Sequence, residues 1–379
     1  MAEAAIPNRE SQTEAQDLKY YTASQWQLVW WRFRRHKAGM VGAGFLIFLA
    51  ITALFADFFA PYAGTTRDSD YVSGPPQLVR FWDHNGFSFQ PFVFGLKTER
   101  DPVTLRKIAK PDRETRRYVQ FFVRGDSYSF FGLFETDIRF FGVDQGKIHL
   151  FGTDDLGRDV FSRTLYATGT SLSIGVLGVL FSFVLALIIG GIAGYFGGMI
   201  DYAIQRVTEI VRVVPVIPLF MGLTAAFPQD WSNIQVYFAM TLVLGLVGWP
   251  TLARRIRGHL LAQRHEDYVL AAELSGASPY RVISRHLLPS FTSYIIVDLV
   301  ITFPYTILSE TALSFIGLGL RPPSISWGIM LQDAQNIRAI EQAPWLFIPA
   351  GFVVIAVLAF TILGDGLRDA ADPYAVSKS

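Results

Sequence analysis

The feature that most constrains this chain is a set of long, uncharged, apolar runs. They stand at residues 38–56, 174–192, 236–253 and 345–363, and a fifth, at 287–308, carries a single charge, Asp298. A helix rises about 1.5 Å per residue, so roughly 20 apolar residues cover a hydrocarbon core about 30 Å thick. Each run therefore predicts a membrane-crossing helix. A sixth candidate, 201–227, is weaker. Its apolar half begins at Val213 and is interrupted by Pro215 and Pro218, and Arg206, Glu209 and Arg212 lie in its first half. Charges near the end of a span can reach the interface along their own stems, so the segment is accepted as a span.

Charged residues make up 17% of the chain, against about 25% in soluble domains. The absence of cysteine excludes disulfides, thiolate metal sites and a cysteine nucleophile. A net charge of +1 gives no global attraction for nucleic acid. No Gly-x-x-x-x-Gly-Lys-Ser/Thr run occurs, so the sequence holds no ATP-binding P-loop. Residues 1–27 read as a polar tail, and the first apolar run starts too far in and is too long for a cleavable leader.

Arginine and lysine orient the spans. Arg32, Arg34, Arg35 and Lys37 precede the first. Arg254, Arg255, Arg257, Arg264, Arg281 and Arg285 lie between the fourth and fifth, whereas 228–234 has none and 319–344 only Arg321 and Arg338. Both termini and the loop 254–290 are thus expected in the cytoplasm. The stretch before the second span is expected outside, with short strands at 87–89, 118–123 and 138–141 divided by Gly and Asp turns. It reads as a small sheet-containing cap whose basic, Phe-rich surface is either a partner site or a core with a solvated face. The expected divisions are a cytoplasmic tail 1–37, a first transmembrane helix 38–60, an extracytoplasmic insertion 61–165, a five-helix membrane domain 166–365 and a cytoplasmic tail 366–379.

The cytoplasmic loop is the most informative segment. Residues 267–275 include the good helix formers Leu270, Ala271, Ala272, Glu273 and Leu274, and Gly276 follows as a helix terminator. Ser278 and Pro279 then open a second helix that runs to Pro289. A compact helical hairpin of this kind suits force transmission from a partner that grips it. Equally, it suits a plain interfacial connector.

The run from Tyr268 through Ala271, Ala272, Glu273, Gly276, Ala277, Ser278 and Pro279 to Pro289 resembles the EAA loop of bacterial ABC importer permeases. Leu270 stands where that motif usually has Glu. Further runs are similar to the peptide/nickel, OppC/DppC-type group. They comprise Gly152-Thr153-Asp154-Asp155-Leu156-Gly157-Arg158-Asp159 before the second span, Gly194 to Gly198 with Asp201 and Arg206, Gly317 through Trp327 and Gly328, and Gly364 to Asp372-Pro373. The segment 63–148 is longer than the family's usual one.

This resemblance implies an all-α membrane protein of the type I ABC importer permease fold. It would have about six transmembrane helices and a small β-containing extracytoplasmic insertion between the first and second. It also implies a coupling helix in the loop, and a permease that does no covalent chemistry and has no cofactor of its own. Partners implied are a second homologous permease in a heterodimer, two ATPases carrying ATP and magnesium, an extracytoplasmic solute-binding protein and the lipid bilayer of the bacterial inner membrane. Substrates of the family include oligopeptides and dipeptides, and for some members nickel chelates, oligosaccharides or opines.

Asp298 and Glu310 are the candidate translocation-path residues, because an ionisable group inside a span is a functional candidate by default. Pairing with an arginine is the alternative. Gly190, Gly191, Gly194, Gly197 and Gly198, with Pro215, Pro218 and Pro304, are either hinges or static packing features. The three carboxylates of 152–159 do not match a calcium-loop spacing and read as a hydrogen-bonded turn between cap and bundle. Two further classes remain open: an ion-coupled secondary transporter, which would show inverted repeats, and an anchored binding module, which would not need five more spans.

Overall fold

The computed structural model describes residues 22–84, 86–100, 107–130, 132–228 and 230–372. Residues 1–21 of the expected N-terminal tail, and the C-terminal tail from Pro373 onward, lie outside these.

Among the described residues of the expected tail 1–37, the chain is helical from Gln25 to Arg35. Ser24 and Gln27 form a reciprocal capping box that opens helix α1 (Gln25–Arg35). His36 breaks that helix and caps the next, its Nδ1 accepting from the Gly39 amide at 2.9 Å. Helix α2 (Lys37–Leu54) is the first candidate span, and a single turn, α3 (Ala56–Phe59), ends it.

Four strands follow: β1 (Arg80–Asp83), β2 (Gly86–Arg100), β3 (Lys107–Phe130) and β4 (Phe134–Val143). They form an antiparallel meander in chain order. The expected strands lie inside these but are far shorter; β3 alone has 24 residues. Register shifts at Phe94/Gly95 and between Arg124 and Tyr128 interrupt the two-residue alternation. That is why only fragments were legible. The sheet closes on a small core of Val93, Val119, Phe141 and Ile148. Arg139, fully buried, joins it to the membrane helices by donating to the Asp57 carbonyl at 2.7 Å, the Ala60 carbonyl at 3.1 Å and the Asp126 carbonyl at 2.8 Å.

Helix α4 (Val160–Phe196) begins six residues before the expected boundary at 166, because Asp159 caps it through the Ser162 amide at 2.7 Å. It continues unbroken through Gly190, Gly191 and Gly194. A Cβ on Gly190 would come within 2.5 Å of the Ala253 carbonyl oxygen on the neighbouring span. These glycines therefore serve close helix contact within a continuous helix.

The sixth expected span is not one straight helix. It consists of α5 (Gly198–Val213) and α6 (Val216–Ala225), bent by 90° where Val214 and Pro215 turn extended. α6 has 10 residues, about 15 Å of helix, half the thickness of a bilayer core. The charges of α5, including the Arg206–Glu209 pair at 2.7 Å, are thereby kept off the axis of α6. Among the described residues, five helices are long and apolar enough to cross a membrane, and six if the bent pair counts as one.

Helix α7 (Asn233–Gln263) starts at a second capping box, Ser232 with Gln235, and passes Pro250 without a break. α8 (Asp267–Leu274) and α9 (Pro279–Arg281) make the hairpin. A π-helical turn, Val282–Leu287, joins α9 directly to α10 (Leu288–Phe315). The hairpin's second helix, expected to run to Pro289, thus passes into the fifth span without interruption. This proline sits at the start of α10, and the wider turn before it keeps the helix continuous. Pro304 likewise lies buried inside α10. Two short helices, α11 (Trp327–Asp333) and α12 (Ile337–Gln342), lead through a 3-10 turn to the last span, α13 (Ile348–Ala371).

Candidate functional site: a helical hairpin below a central cavity

The hairpin has a fixed base and an exposed crest. Val269, Val282 and Leu287 are fully buried and join Trp249, Ile256 and Leu260 of α7 in one core. Burying three such side chains contributes about 1.5–3 kcal/mol each, which fastens the hairpin to the bundle. α8 ends as its sequence predicts. Gly276 takes a φ of +81°, its amide donates to the Glu273 carbonyl, and that of Ala277 to the Ala272 carbonyl. This pair of bonds is the Schellman motif. Ser278 has the extended N-cap conformation with Pro279 at the first helical position, but its hydroxyl makes no capping bond.

The outer face carries apolar side chains with nothing over them among the described residues. Leu274 is 90% exposed and Tyr280 80%, with Leu270 and Ala271 also exposed beside Leu274. The polar motif residues point elsewhere. Glu273 accepts from the Tyr195 hydroxyl at 2.8 Å, and the Tyr268 hydroxyl donates to Gln263 at 3.0 Å. Arg257 of α7 pairs with Asp201 of α5, one of its bonds being 2.5 Å, so the bent pair is tied to the same base. Ala272 and Ala277 are only half-buried.

A cavity of about 480 Å³ lies between α4, α6, α7 and α10, lined among others by Ser182, Phe220, Thr251, Arg255, Asp298 and Tyr305. Asp298 forms an ion pair with Arg255 there, which is the arginine pairing given as the alternative to a path role, although both side chains also line the cavity. Arg255 is 43 positions away in sequence on a different helix, so no local signal could pair them.

Glu310 is placed differently from Asp298. It lies outside the cavity lining and is fully buried, its carboxylate accepting from Ser171 at 3.1 Å and Ser314 at 2.8 Å. The Ser171 hydroxyl in turn accepts from the Trp327 amide at 3.2 Å. A Cβ on Gly328 would meet the Ser314 Cβ at 2.5 Å. Glu310, Trp327 and Gly328 therefore join α4, α10 and α11 in one close interior contact.

The 152–159 turn is densely hydrogen-bonded. The Asp154 carboxylate accepts from the Leu156 and Arg158 amides, both at 2.9 Å, from Arg158 Nε at 2.7 Å and from Arg163. Arg158 and Arg163 also reach Asp333 of α11, at 3.2 and 3.3 Å. Thr153 is held from both sides, its carbonyl accepting from the Trp345 indole at 3.0 Å and its hydroxyl from the Gly74 amide at 2.7 Å. Gly152 and Gly157 both have positive φ, and a Cβ on Gly157 would collide with the Asp68 carbonyl. Among the described residues no group of three or more His, Asp or Glu side chains is arranged so that it could hold a metal ion.

Sequence reading missed His149. Buried at this junction, its Nδ1 lies 2.9 Å from Asp159 and its Nε2 3.8 Å from Asp68, which itself meets Lys147 at 3.0 Å. Burial alone would lower the imidazole pKa, but the two carboxylates outweigh it and hold it above its ordinary value. Burial likewise opposes ionisation of Asp68, yet His149 and Lys147 bring it down to about 2.

A raised folded-state pKa for His149 means a contribution to stability that is complete below about 6.5 and is lost as pH rises through the folded value. The depressed Asp68 contributes above about 3.9 and is lost as pH falls toward 2. Protease resistance of the 62–159 segment is therefore expected to decrease from pH 6 to pH 8, and His149→Gln to remove that slope. An identical slope in the variant would refute the assignment.

Comparison with known proteins adds the family. Residues 186–375 match the binding-protein-dependent transport system inner membrane components, and residues 24–76 the N-terminal TM domain of oligopeptide transport permease C. The dipeptide transport system permease protein DppC of Bacillus subtilis is 30% identical over 370 residues, 97% of this chain and 92% of that protein. The oligopeptide transport system permease protein OppC of the same organism is 36% identical over 58% of this chain and 70% of its own length. The glutathione transport system permease protein GsiD of Pectobacterium atrosepticum is 36% identical over 58% of this chain and 71% of that protein. Among solved structures, the MetNI methionine ABC transporter in an inward-facing conformation aligns with a TM-score of 0.43 and 18% identity, over 55% of this chain and 96% of that one. The chain belongs to the family of binding-protein-dependent transport system inner membrane components, as a multi-pass ABC importer permease of the OppC/DppC type.

Proposed function

We propose that this chain forms half of the translocation pathway of an ATP-driven importer of dipeptides or oligopeptides, with the type I permease fold. The relatives named for dipeptide and oligopeptide transport support the substrate class. The observation that carries the mechanism is the hairpin, whose exposed Leu270, Ala271, Leu274 and Tyr280 stand on a base fastened by Val269, Val282 and Leu287. An apolar crest on a rigid mount is what a separate ATPase subunit needs in order to bias this chain between two states, since a switch requires a partner with unequal affinity for each. ATP and magnesium belong to two such subunits. A second, homologous permease completes the pathway, and a binding protein delivers the solute.

The basic residues flanking α2 and α7 support a cytoplasmic hairpin and cytoplasmic termini, with the four-stranded sheet as an extracytoplasmic insertion. Asp298 and Arg255 are the path residues of this reading: the pair lines the cavity wall, where a peptide's charged ends would compete with the bond between the two side chains. The test is purification in mild detergent and reconstitution. The chain is expected to co-purify with two ATPases and a homologous permease and to support ATP-dependent uptake of a labelled dipeptide. Asp298→Asn should slow uptake with ATPase activity retained. Recovery without these subunits would overturn the reading, and unchanged uptake by the variant would remove Asp298 from the path.

A further inference from the structure

The tip of the β3–β4 hairpin carries an uncovered apolar surface whose position identifies its occupant. Residues 129–134 contain no charged side chain. Leu133 is 80% exposed and Phe134 also exposed, and the Phe130 and Phe134 rings stack 5.3 Å apart. In water such a tip costs free energy in proportion to its apolar area.

Its location relative to the first span is fixed by direct contacts. The ring of Phe130 lies 5.8 Å from that of Phe55, the residue that ends α2. Phe122 and Phe140 lie 6.3 and 5.7 Å from Phe58 of α3. The mount is rigid. Arg139 of β4 donates to the Asp57 and Ala60 carbonyls, and Asp126 of β3 accepts from the Thr66 hydroxyl at 2.8 Å.

Depth then follows from α2 itself. Lys37, with Arg32, Arg34 and Arg35 just before it, marks one membrane surface. From there α2 spans 18 residues, about 27 Å at 1.5 Å each, close to the full hydrocarbon thickness. Phe55 therefore stands at the opposite interface, where aromatic side chains concentrate. The exposed apolar face of α2, Ile47, Ile51 and Leu54, runs toward Phe55, against which Phe130 rests. The charged side chain nearest the tip is Glu135, exposed and paired with Ser129 across the hairpin, one step behind Phe134 and on the side away from the turn. Arg124, 88% exposed, pairs loosely with Asp137 at 3.9 Å.

We propose that the β3–β4 tip, through Phe130, Leu133 and Phe134, inserts into the lipid interface as a second anchor beside the first span, with the acyl-chain boundary of the bilayer as its partner. Insertion would hold the sheet at a fixed height and tilt over the membrane.

The chain has no cysteine, so Leu133→Cys and Arg124→Cys each introduce a single thiol for a nitroxide label. The complete transporter, with any accessible cysteines of its partner subunits removed, is placed in lipid nanodiscs and probed by oxygen and by a water-soluble nickel chelate. The ratio of oxygen to nickel accessibility is expected to be several-fold higher at 133 than at 124. Equal ratios would overturn the proposal in favour of a tip in water. An immobile label at 133, shielded from both reagents, would overturn it in favour of a protein partner. Depth is read from the bilayer whichever face the sheet occupies, so the outcome is independent of the orientation proposed above.

Discussion

A transporter carrying Ala271→Asp together with Leu274→Asp is expected to lose ATP-driven uptake by about tenfold or more while still assembling in the membrane. The two positions lie three apart on α8, on its exposed face, so the new carboxylates break no buried contact of the base. Helix propensity falls by roughly 0.5 kcal/mol per substitution, too little to unfold a segment anchored by Val269, Val282 and Leu287. Their effect is expected at the contact proposed between the crest and an ATPase subunit. Two carboxylates that must be desolvated against an apolar surface cost several kcal/mol, and about 1.4 kcal/mol is already tenfold. ATP hydrolysis is expected to persist but to stop responding to solute. Unchanged coupled uptake in these variants would show that the crest is not the contact, whatever the sequence of the loop resembles.

What the sequence made legible was set by how local each signal is. α8, Gly276 and Pro279 were readable because capping chemistry acts within five residues, and the observed φ of +81° at Gly276 is the conformation that choice of residue implies. Five spans were readable because their constraint is length and the absence of charge. The bent pair was half legible: Pro215 announced a break, but nothing local stated that the two pieces would meet at 90°. Contacts between distant segments left no local trace. Asp298 stands out in sequence as an ionisable group within a span, whereas its partner Arg255 reads only as a flanking cation. Glu310 looked like Asp298 in sequence and differs wholly in structure. Hydroxyls of Ser171 and Ser314 supply its partners, and it is not among the residues that line the cavity. His149 gave no signal at all, since Asp68 and Asp159 reach it only after the cap has folded.

Two adjacent carboxylates in the 152–159 turn provide the sharpest test of the structural account. Asp154 is buried and compensates Arg163, itself buried, while also closing the turn through two backbone amides. Its neighbour Asp155 is exposed and accepts a single bond from the Ser73 hydroxyl at 2.8 Å. Asp154→Ala leaves a buried guanidinium whose remaining carboxylate, Asp333, stands 3.3 Å away and is shared with Arg158. Breaking a buried pair from one side costs about 3–5 kcal/mol, because the surviving charge stays desolvated. Asp155→Ala removes an exposed bond and is expected to cost less than about 1 kcal/mol. The measurement is thermal unfolding of the detergent-solubilised transporter, followed by loss of the monodisperse peak. A large fall in midpoint is expected for Asp154→Ala and little change for Asp155→Ala, although the two residues are neighbours with the same formal charge. Asp154→Asn should lie between them, since the amide oxygen can still accept from the backbone but no longer neutralises Arg163. Equal effects from the two alanine variants would mean that the turn acts through its net charge. Unequal effects in the stated order would mean that it acts as the tie by which the sheet, α4 and α11 are held in one piece.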